Sequence, residues 1–163
     1  MLNRIILSIS LLLTSAFVSA EIRPFINGGI GFGDTDFDNG LYFNVGGGVQ
    51  FNEHIEIEVG YNDYGGIGPF EIDIDSLSYG VNLGGNLSEN VRLFAVLGAE
   101  RLEADDTVSL GSFTIDIDES STEAFFGIGV AFMQGENFDI RTKLVSHDSG
   151  DLITVNVGIA IYF

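Results

Sequence analysis

Near the C-terminus, His147-Asp148-Ser149 sets an imidazole, a carboxylate and a hydroxyl within three residues of one another. A serine becomes a nucleophile when a histidine takes its proton and an acid orients that histidine. Asp148 and Asp151 are too close along the chain to serve convincingly as the orienting acid. Taken alone, the triplet reads as a histidine in a short loop. The other histidine, His54, sits in a tight turn with no partner pattern and reads as surface.

Acids offer a second chemistry. Asp34-Thr35-Asp36-Phe37-Asp38-Asn39-Gly40 places carboxylates at alternate positions, as a calcium loop does. Such a loop wants glycine at its sixth position and a bidentate glutamate at its twelfth. Here glycine is seventh and Val45 is twelfth, so an EF-hand is excluded. Two further stretches repeat one phrase, Phe70-Glu71-Ile72-Asp73-Ile74-Asp75 and Phe113-Thr114-Ile115-Asp116-Ile117-Asp118. Together Asp34, Asp36, Asp38, Asp73, Asp75, Asp116 and Asp118 suit weak, collective binding of divalent cations, with no dedicated metal site and no cofactor.

A third group is scattered along the chain: Glu56, Glu58, Arg92, Glu100, Glu123, Asp139, Arg141 and Lys143. What unites them is phase. Ile55-Glu56-Ile57-Glu58-Val59-Gly60-Tyr61 alternates apolar with polar, and the last segment sets Ile153, Val155, Val157, Ile159, Ile161 and Phe163 against Thr154, Asn156, Gly158, Ala160 and Tyr162. Strict period-two alternation is the mark of a strand with two different faces. Further segments run Ile22–Gly33, Leu41–Phe51, Ser76–Leu87, Val91–Leu102, Glu123–Met133 and Phe138–Val145, making eight. In each, the charges oppose the apolar face, and Arg23 joins them on the first.

The connections also alternate. Asn52-Glu53-His54, Ser88-Glu89-Asn90 and Gln134-Gly135-Glu136 are tight, whereas Asp34–Gly40, Asn62–Asp75, Glu103–Thr122 and Ser146–Asp151 are longer or more acidic. Short turns on one side and long loops on the other describe an outer-membrane barrel. The sequence therefore predicts an all-β fold: an eight-stranded antiparallel up-and-down transmembrane β-barrel with a packed polar lumen. Lipid would take the apolar face, and acids and bases would pair inside, because an unpaired charge there is costly. Gly29, Gly31, Gly46, Gly48, Gly127 and Gly129 also face inward, making room in a lumen just wide enough to be filled, so no open pore is expected. The Ile-Asp repeats predict that strands four to six run on above the bilayer as a projecting sheet.

The N-terminus fits this destination. Arg4, an apolar run through Phe17, and Val18-Ser19-Ala20 before Glu21 read as a cleaved signal peptide over 1–20, leaving 21–163 as the barrel domain. The run is too short to span a bilayer as a helix. The chain has 163 residues, no Cys, a formal charge of −18 and a positive mean hydropathy of +0.30. The charge makes nucleic acid a poor partner, and the absence of Cys rules out disulfides.

Phe25-Ile26-Asn27-Gly28-Gly29-Ile30-Gly31-Phe32, together with Gly46-Gly47-Gly48-Val49-Gln50-Phe51 and Glu58-Val59-Gly60-Tyr61-Asn62-Asp63-Tyr64-Gly65, resembles the outer-membrane β-barrel domain family. That family includes small barrels similar to outer-membrane protein X and to the membrane domain of outer-membrane protein A. The terminal Phe163 resembles the signal read by the barrel-assembly machinery. The resemblance implies location in a bacterial outer membrane, among outer-membrane lipid and lipopolysaccharide, and it allows an extracellular protein partner. His147-Asp148-Ser149 is similar to the His-x-Ser of lipid A deacylase barrels, whose acid should come from the following strand. Strand eight here has no Glu or Asp after Asp151. The expectation is a barrel that is not an enzyme, with acidic outer loops for surface interaction or cation-bridged contact with lipopolysaccharide. The alternative is a lipid A-modifying hydrolase using His147 and Ser149.

Overall fold

The computed structural model describes residues 22–35, 39–67, 72–110, 113–133, 137–147 and 152–163. The expected signal segment, Asp36, Asp38, Ser149 and the Gln134-Gly135-Glu136 turn lie outside these residues. The strands are β1 (Arg23–Thr35), β2 (Asn39–Gln50), β3 (Ile55–Ile67), β4 (Ile72–Ser88), β5 (Val91–Leu110), β6 (Phe113–Met133), β7 (Phe138–His147) and β8 (Leu152–Tyr162). Each pairs antiparallel with its sequence neighbours, and β1 closes on β8 from Phe25↔Tyr162 to Thr35↔Leu152. Closure removes the two free edges that an open sheet would leave.

The tight turns are set by local side chains. The Asn52 side-chain oxygen accepts hydrogen bonds from the His54 and Ile55 amides at 2.8 and 2.9 Å. The amide of Phe51 donates to the Ile55 carbonyl at 2.9 Å, closing the hairpin. In β3, a register shift between Asp63 and Gly66 accompanies Gly65, whose φ of 64° lies in the left-handed region that glycine enters without strain.

Alternation sorts the side chains as lipid demands. Ile26, Ile30, Val45, Ile57, Leu83, Leu97, Ile128, Leu144, Val155, Val157 and Ile159 all stand exposed on the outside. Aromatic residues bracket this belt. Phe32, Phe43, Tyr61, Tyr79 and Phe126 lie toward the loop side of the spanning portion, and Phe132, Phe138 and Phe163 toward the turn side, all exposed. Such girdles mark the two membrane interfaces of a transmembrane barrel. A continuous apolar exterior of this extent would aggregate in water.

Three details differ from the alternation-based expectation. First, β5 and β6 pair without interruption from Val91↔Phe132 to Leu110↔Phe113, so nearly all of the stretch read as a connection at Glu103–Thr122 is strand, in keeping with the extension that the Ile-Asp repeats predict. The β7 partner of β6 begins only at Phe125↔His147. The twelve residues Phe113–Ala124 therefore rise beyond the end of β7, a run of roughly 40 Å at about 3.3 Å per residue.

Second, the lumen is not uniformly polar: Phe25, Phe94, Val96 and Tyr162 are buried inside it. Third, the inward glycines serve rings as much as charged chains. A Cβ on Gly31 would strike the Tyr42 ring, and one on Gly129 would strike the Phe94 ring. Glycine is required there because the rings lie flat across the backbone of the neighbouring strand.

Candidate functional site

The lumen divides into two polar centres. The first lies toward the tight-turn end and is built on Glu56, which is fully buried. Inward phase puts Glu56 on β3, Arg92 on β5 and Arg141 on β7 around one point. Arg141 donates to both Glu56 oxygens, Nη1 to Oε2 at 3.1 Å and Nη2 to Oε1 at 3.0 Å. This fork-to-fork geometry fixes orientation as well as charge. Arg92 Nη1 donates to Glu56 Oε1 in a close contact. Arg141 Nε reaches Asp139 Oδ1 at 2.8 Å, and the Tyr162 hydroxyl donates to Asp139 Oδ2 at 2.9 Å.

Aromatic rings complete the enclosure. The Arg141 guanidinium carbon is 4.9 Å from the Phe25 ring centre, and that of Arg92 is 5.5 Å from Phe94. At the mouth, Arg23 covers the Tyr162 ring at 4.6 Å. Ring faces carry negative charge density and so attract cations, which partly repays the desolvation of two buried arginines.

One step along the axis, Lys143 Nζ donates to both oxygens of Glu58 at 2.7 Å. Asn27 donates to the same carboxylate at 2.7 Å, and Asn82 bridges it to Glu56 with bonds of 3.0 and 3.2 Å. The result is a continuous plug of ion pairs across the barrel.

The second centre is nearer the loop end. Glu100 on β5 is 1 % exposed and His147 on β7 is 3 % exposed, and His147 Nδ1 lies in close contact with Glu100 Oε1. The other carboxylate oxygen, Oε2, accepts from Ser76 Oγ at 3.0 Å and the Tyr64 hydroxyl at 3.3 Å. Asn62 in turn donates to Ser76 Oγ at 2.8 Å. A cavity of about 70 Å³ adjoins this group, lined among others by Tyr42, Asn44, Thr154 and Asn156.

Two site expectations need correction. His147 is not a loop residue: it is the last residue of β7, facing inward and buried. Glu123 does not join the network. It faces Glu100 across the β5–β6 pair and is half-exposed, with no ion pair to it among the described residues. The reason is its height, since β7 stops opposite Phe125 and the lumen wall ends below Glu123.

Of the acids assigned to weak cation binding, Asp34 and Asp75 are exposed toward the loop end. The side chains of Asp73, Asp116 and Asp118 lie outside the described ones, although their backbones belong to β4 and β6. Among the described residues, no group of three or more His, Cys, Asp or Glu side chains could hold a metal ion. His54 is exposed in its turn, with its Nδ1 2.9 Å from the Gly84 carbonyl oxygen.

A closed eight-stranded barrel with a plugged lumen, an apolar exterior and two aromatic girdles is the outer-membrane architecture, and the sequence agrees: the profile described as outer membrane protein beta-barrel domain matches residues 5–160. The chain belongs to this family. As a member, it is a protein of the bacterial outer membrane. Among curated proteins, no sequence matches it.

Solved structures share the fold of this family member. Ail, the attachment invasion locus protein of Yersinia pestis, in complex with the heparin analogue sucrose octasulfate, is 24 % identical with a TM-score of 0.60, over 88 % of this chain and 99 % of Ail. The N-terminal barrel of Pseudomonas aeruginosa OprF is 15 % identical, with a TM-score of 0.63 over 88 % and 98 % of the two chains. Neisserial surface protein A is 14 % identical, with a TM-score of 0.60 over 87 % and 97 %.

Proposed function

We propose that this barrel is a non-enzymatic surface protein whose acidic outer strands and loops make contacts outside the cell, including cation-bridged contacts with lipopolysaccharide. The observation that carries the reading is the β5–β6 hairpin, which stands beyond the end of β7. Its outer part, residues 103–122, holds six acids and no base. Ion pairs crossing the lumen disfavour transport through it and support a role for the outer rim.

The sign of the charge decides what the rim can meet. Ail was solved with a polyanion, sucrose octasulfate. An acidic rim on a chain of net charge −18 repels a polyanion and suits a cationic partner or a bridging metal ion. Lipopolysaccharide phosphates are anionic too, so a hard cation with oxygen ligands relieves both repulsions.

The hydrolase reading meets one requirement and fails another. His147 does have an acid beside it, Glu100, supplied by β5 rather than by the following strand. Yet His147 faces into the lumen and is 3 % exposed, whereas the acyl chains of lipid A lie outside the barrel.

Calcium titration of the refolded barrel in detergent tests the rim. Binding should be weak, on the order of 10⁻⁴–10⁻³ M, because among the described residues no group of three ligating side chains forms a cage. Thermal stability should rise modestly over a broad calcium range. An effect no larger than that of monovalent salt at matched ionic strength would remove the cation-bridging proposal.

Biogenesis gives a further expectation. The amide of Phe163 donates to the Pro24 carbonyl at 3.0 Å, so the terminal residue also locks the β1–β8 seam. We propose that Phe163 is part of the signal read by the assembly machinery and that a signal peptide over residues 1–20 is removed beforehand. A chain ending at Tyr162 should insert more slowly and in lower yield, measured as the heat-modifiable folded band in outer-membrane fractions. Equal yield would show that the terminal aromatic is dispensable.

A further inference from the structure

One ion pair in the lumen depends on a removable proton. Among the described residues, Glu56, Glu58 and Asp139 are paired with Arg92, Arg141 and Lys143. Glu100, 1 % exposed, is paired with His147 alone. Its other oxygen, Oε2, accepts from Ser76 and Tyr64, while Asn62 donates to Ser76 and so turns the serine proton toward Glu100. Donors on a carboxylate favour its charged form. An enclosed carboxylate without a compensating cation is strongly unfavourable, so the pair holds only while the imidazole carries its proton.

The pair also sits at a mechanical junction. Glu100 on β5 and His147 on β7 flank β6, where Glu100 faces Glu123 and His147 faces Phe125. His147 is the last residue of β7 and lies beyond the last described β7–β8 pairing, Ser146↔Ile153. Past this point β6 continues into the projecting hairpin. Oε1 and Nδ1 touch without the alignment that a hydrogen bond requires, and Nε2 has no hydrogen-bond partner either. Charge is therefore what holds the imidazole inward.

We propose that Glu100 and His147 form a pH-sensitive latch at the base of the projecting hairpin. With the proton in place, the pair fastens the outer end of β7 to β5 across β6. When the proton leaves, Glu100 is unpaired, the adjoining cavity of about 70 Å³ admits water at about 10–15 Å³ per molecule, and the end of β7 comes free. The latched state holds the extra proton, so a rise in pH favours the released one. Histidine is the side chain whose charge ordinarily changes between about pH 5 and 8. Around the pair stand Tyr42 of β2, Glu58 and Tyr64 of β3, Glu123 of β6 and Lys143 of β7, while β4 and β8 present hydroxyls and amides there. Tyrosine, glutamate and lysine ordinarily titrate outside that range, which leaves the imidazole as the group that sets the latch.

The test is amide hydrogen exchange of the refolded barrel in lipid nanodiscs, followed by NMR at about pH 5.5 and about pH 8.5, on either side of the histidine range. Protection is compared after correction for the intrinsic exchange rate at each pH. The protected amides among Val145, Ser146 and His147 should lose about tenfold or more of their protection at the higher pH. Those of Arg141 and Lys143, lower on the same strand, should change little. In Glu100→Gln and His147→Gln the difference between the two pH values should vanish. His54→Ala should retain it, which matters because the chain has only two histidines. Heat-modifiable gel mobility reports whether each variant is folded, and either folded variant suffices. The proposal is overturned if the unmodified barrel is equally protected at both pH values, if the loss is spread evenly over the barrel, if it persists in a folded Glu100→Gln or His147→Gln variant, or if His54→Ala abolishes it.

Discussion

Replacing Glu56 by alanine should destabilise the barrel by about 3–5 kcal/mol, the cost typical of removing one partner from a buried ion pair. Glu56 has no exposure to solvent and accepts from Arg92 and from both terminal nitrogens of Arg141. Its removal leaves two guanidiniums in a closed space, with Asp139 the one carboxylate still ion-paired to either of them among the described residues. The Phe25 and Phe94 rings soften the penalty without cancelling it, since a cation–π contact contributes about 0.5–2 kcal/mol.

Two controls separate charge from shape. Glu56→Gln keeps the volume and loses the charge, and should fall near the alanine variant if electrostatics dominates. Glu56→Gln combined with Arg92→Met removes one buried charge of each sign and should recover a large part of the loss, because no guanidinium is then left unpaired: Arg141 keeps Asp139 as its counter-charge. Urea unfolding in lipid vesicles, followed by gel mobility, measures all three. If Glu56→Ala costs less than about 1 kcal/mol, a range typical of exposed pairs, then water enters the lumen and the plug is not a dry ion-pair cluster.

The inward phase of Glu56, Glu58, Arg92, Asp139, Arg141 and Lys143 can be read from the sequence because strand side chains repeat every two residues and the opposite phase is so apolar. Which acid meets which base cannot. Glu56 and Arg141 are 85 positions apart, and their meeting depends on how far each strand is shifted against the next around the closed barrel. The aromatic half of the lumen was hidden for another reason. Phe25, Phe94 and Phe125 share the phase of the charged residues, but a phenylalanine at an inward position looks like a break in alternation when only polarity is counted.

His147 shows where alternation stops informing. The apolar signal of β7 fades at Ser146, an outward position without an apolar side chain, so the strand seems to end at Val145. Two more residues of β7 would have put His147 in phase with Asp139, Arg141 and Lys143, and so inside. Glu100 carried no sign of its neighbours either, because Tyr64 and Ser76 come from two other strands and meet it only through the barrel's curvature. Glu123 erred in the opposite direction: its phase is inward, but phase says nothing of the height at which the wall ends.

Placing arginine at Val157 should cost about 2–4 kcal/mol, and placing it at Ile153 should cost much less, because the penalty for a charge on the lipid face falls toward about 0–1 kcal/mol at the interfaces. Val157 lies midway along β8, pairs with Ile30 and Thr142, and is 50 % exposed on the outer face. Ile153 is 46 % exposed near the loop end. By exposure alone the two sites are nearly equal, and in water both substitutions would be close to neutral, like most surface changes. Depth is what differs. At the centre of the bilayer a guanidinium has no water and must drag some in or bend toward the headgroups. At the edge it reaches them directly. Reversible unfolding of each variant from lipid vesicles gives the two numbers. Equal and small losses would mean that the apolar exterior of β8 is covered by protein or faces water, and the membrane-spanning orientation of the barrel would have to be abandoned.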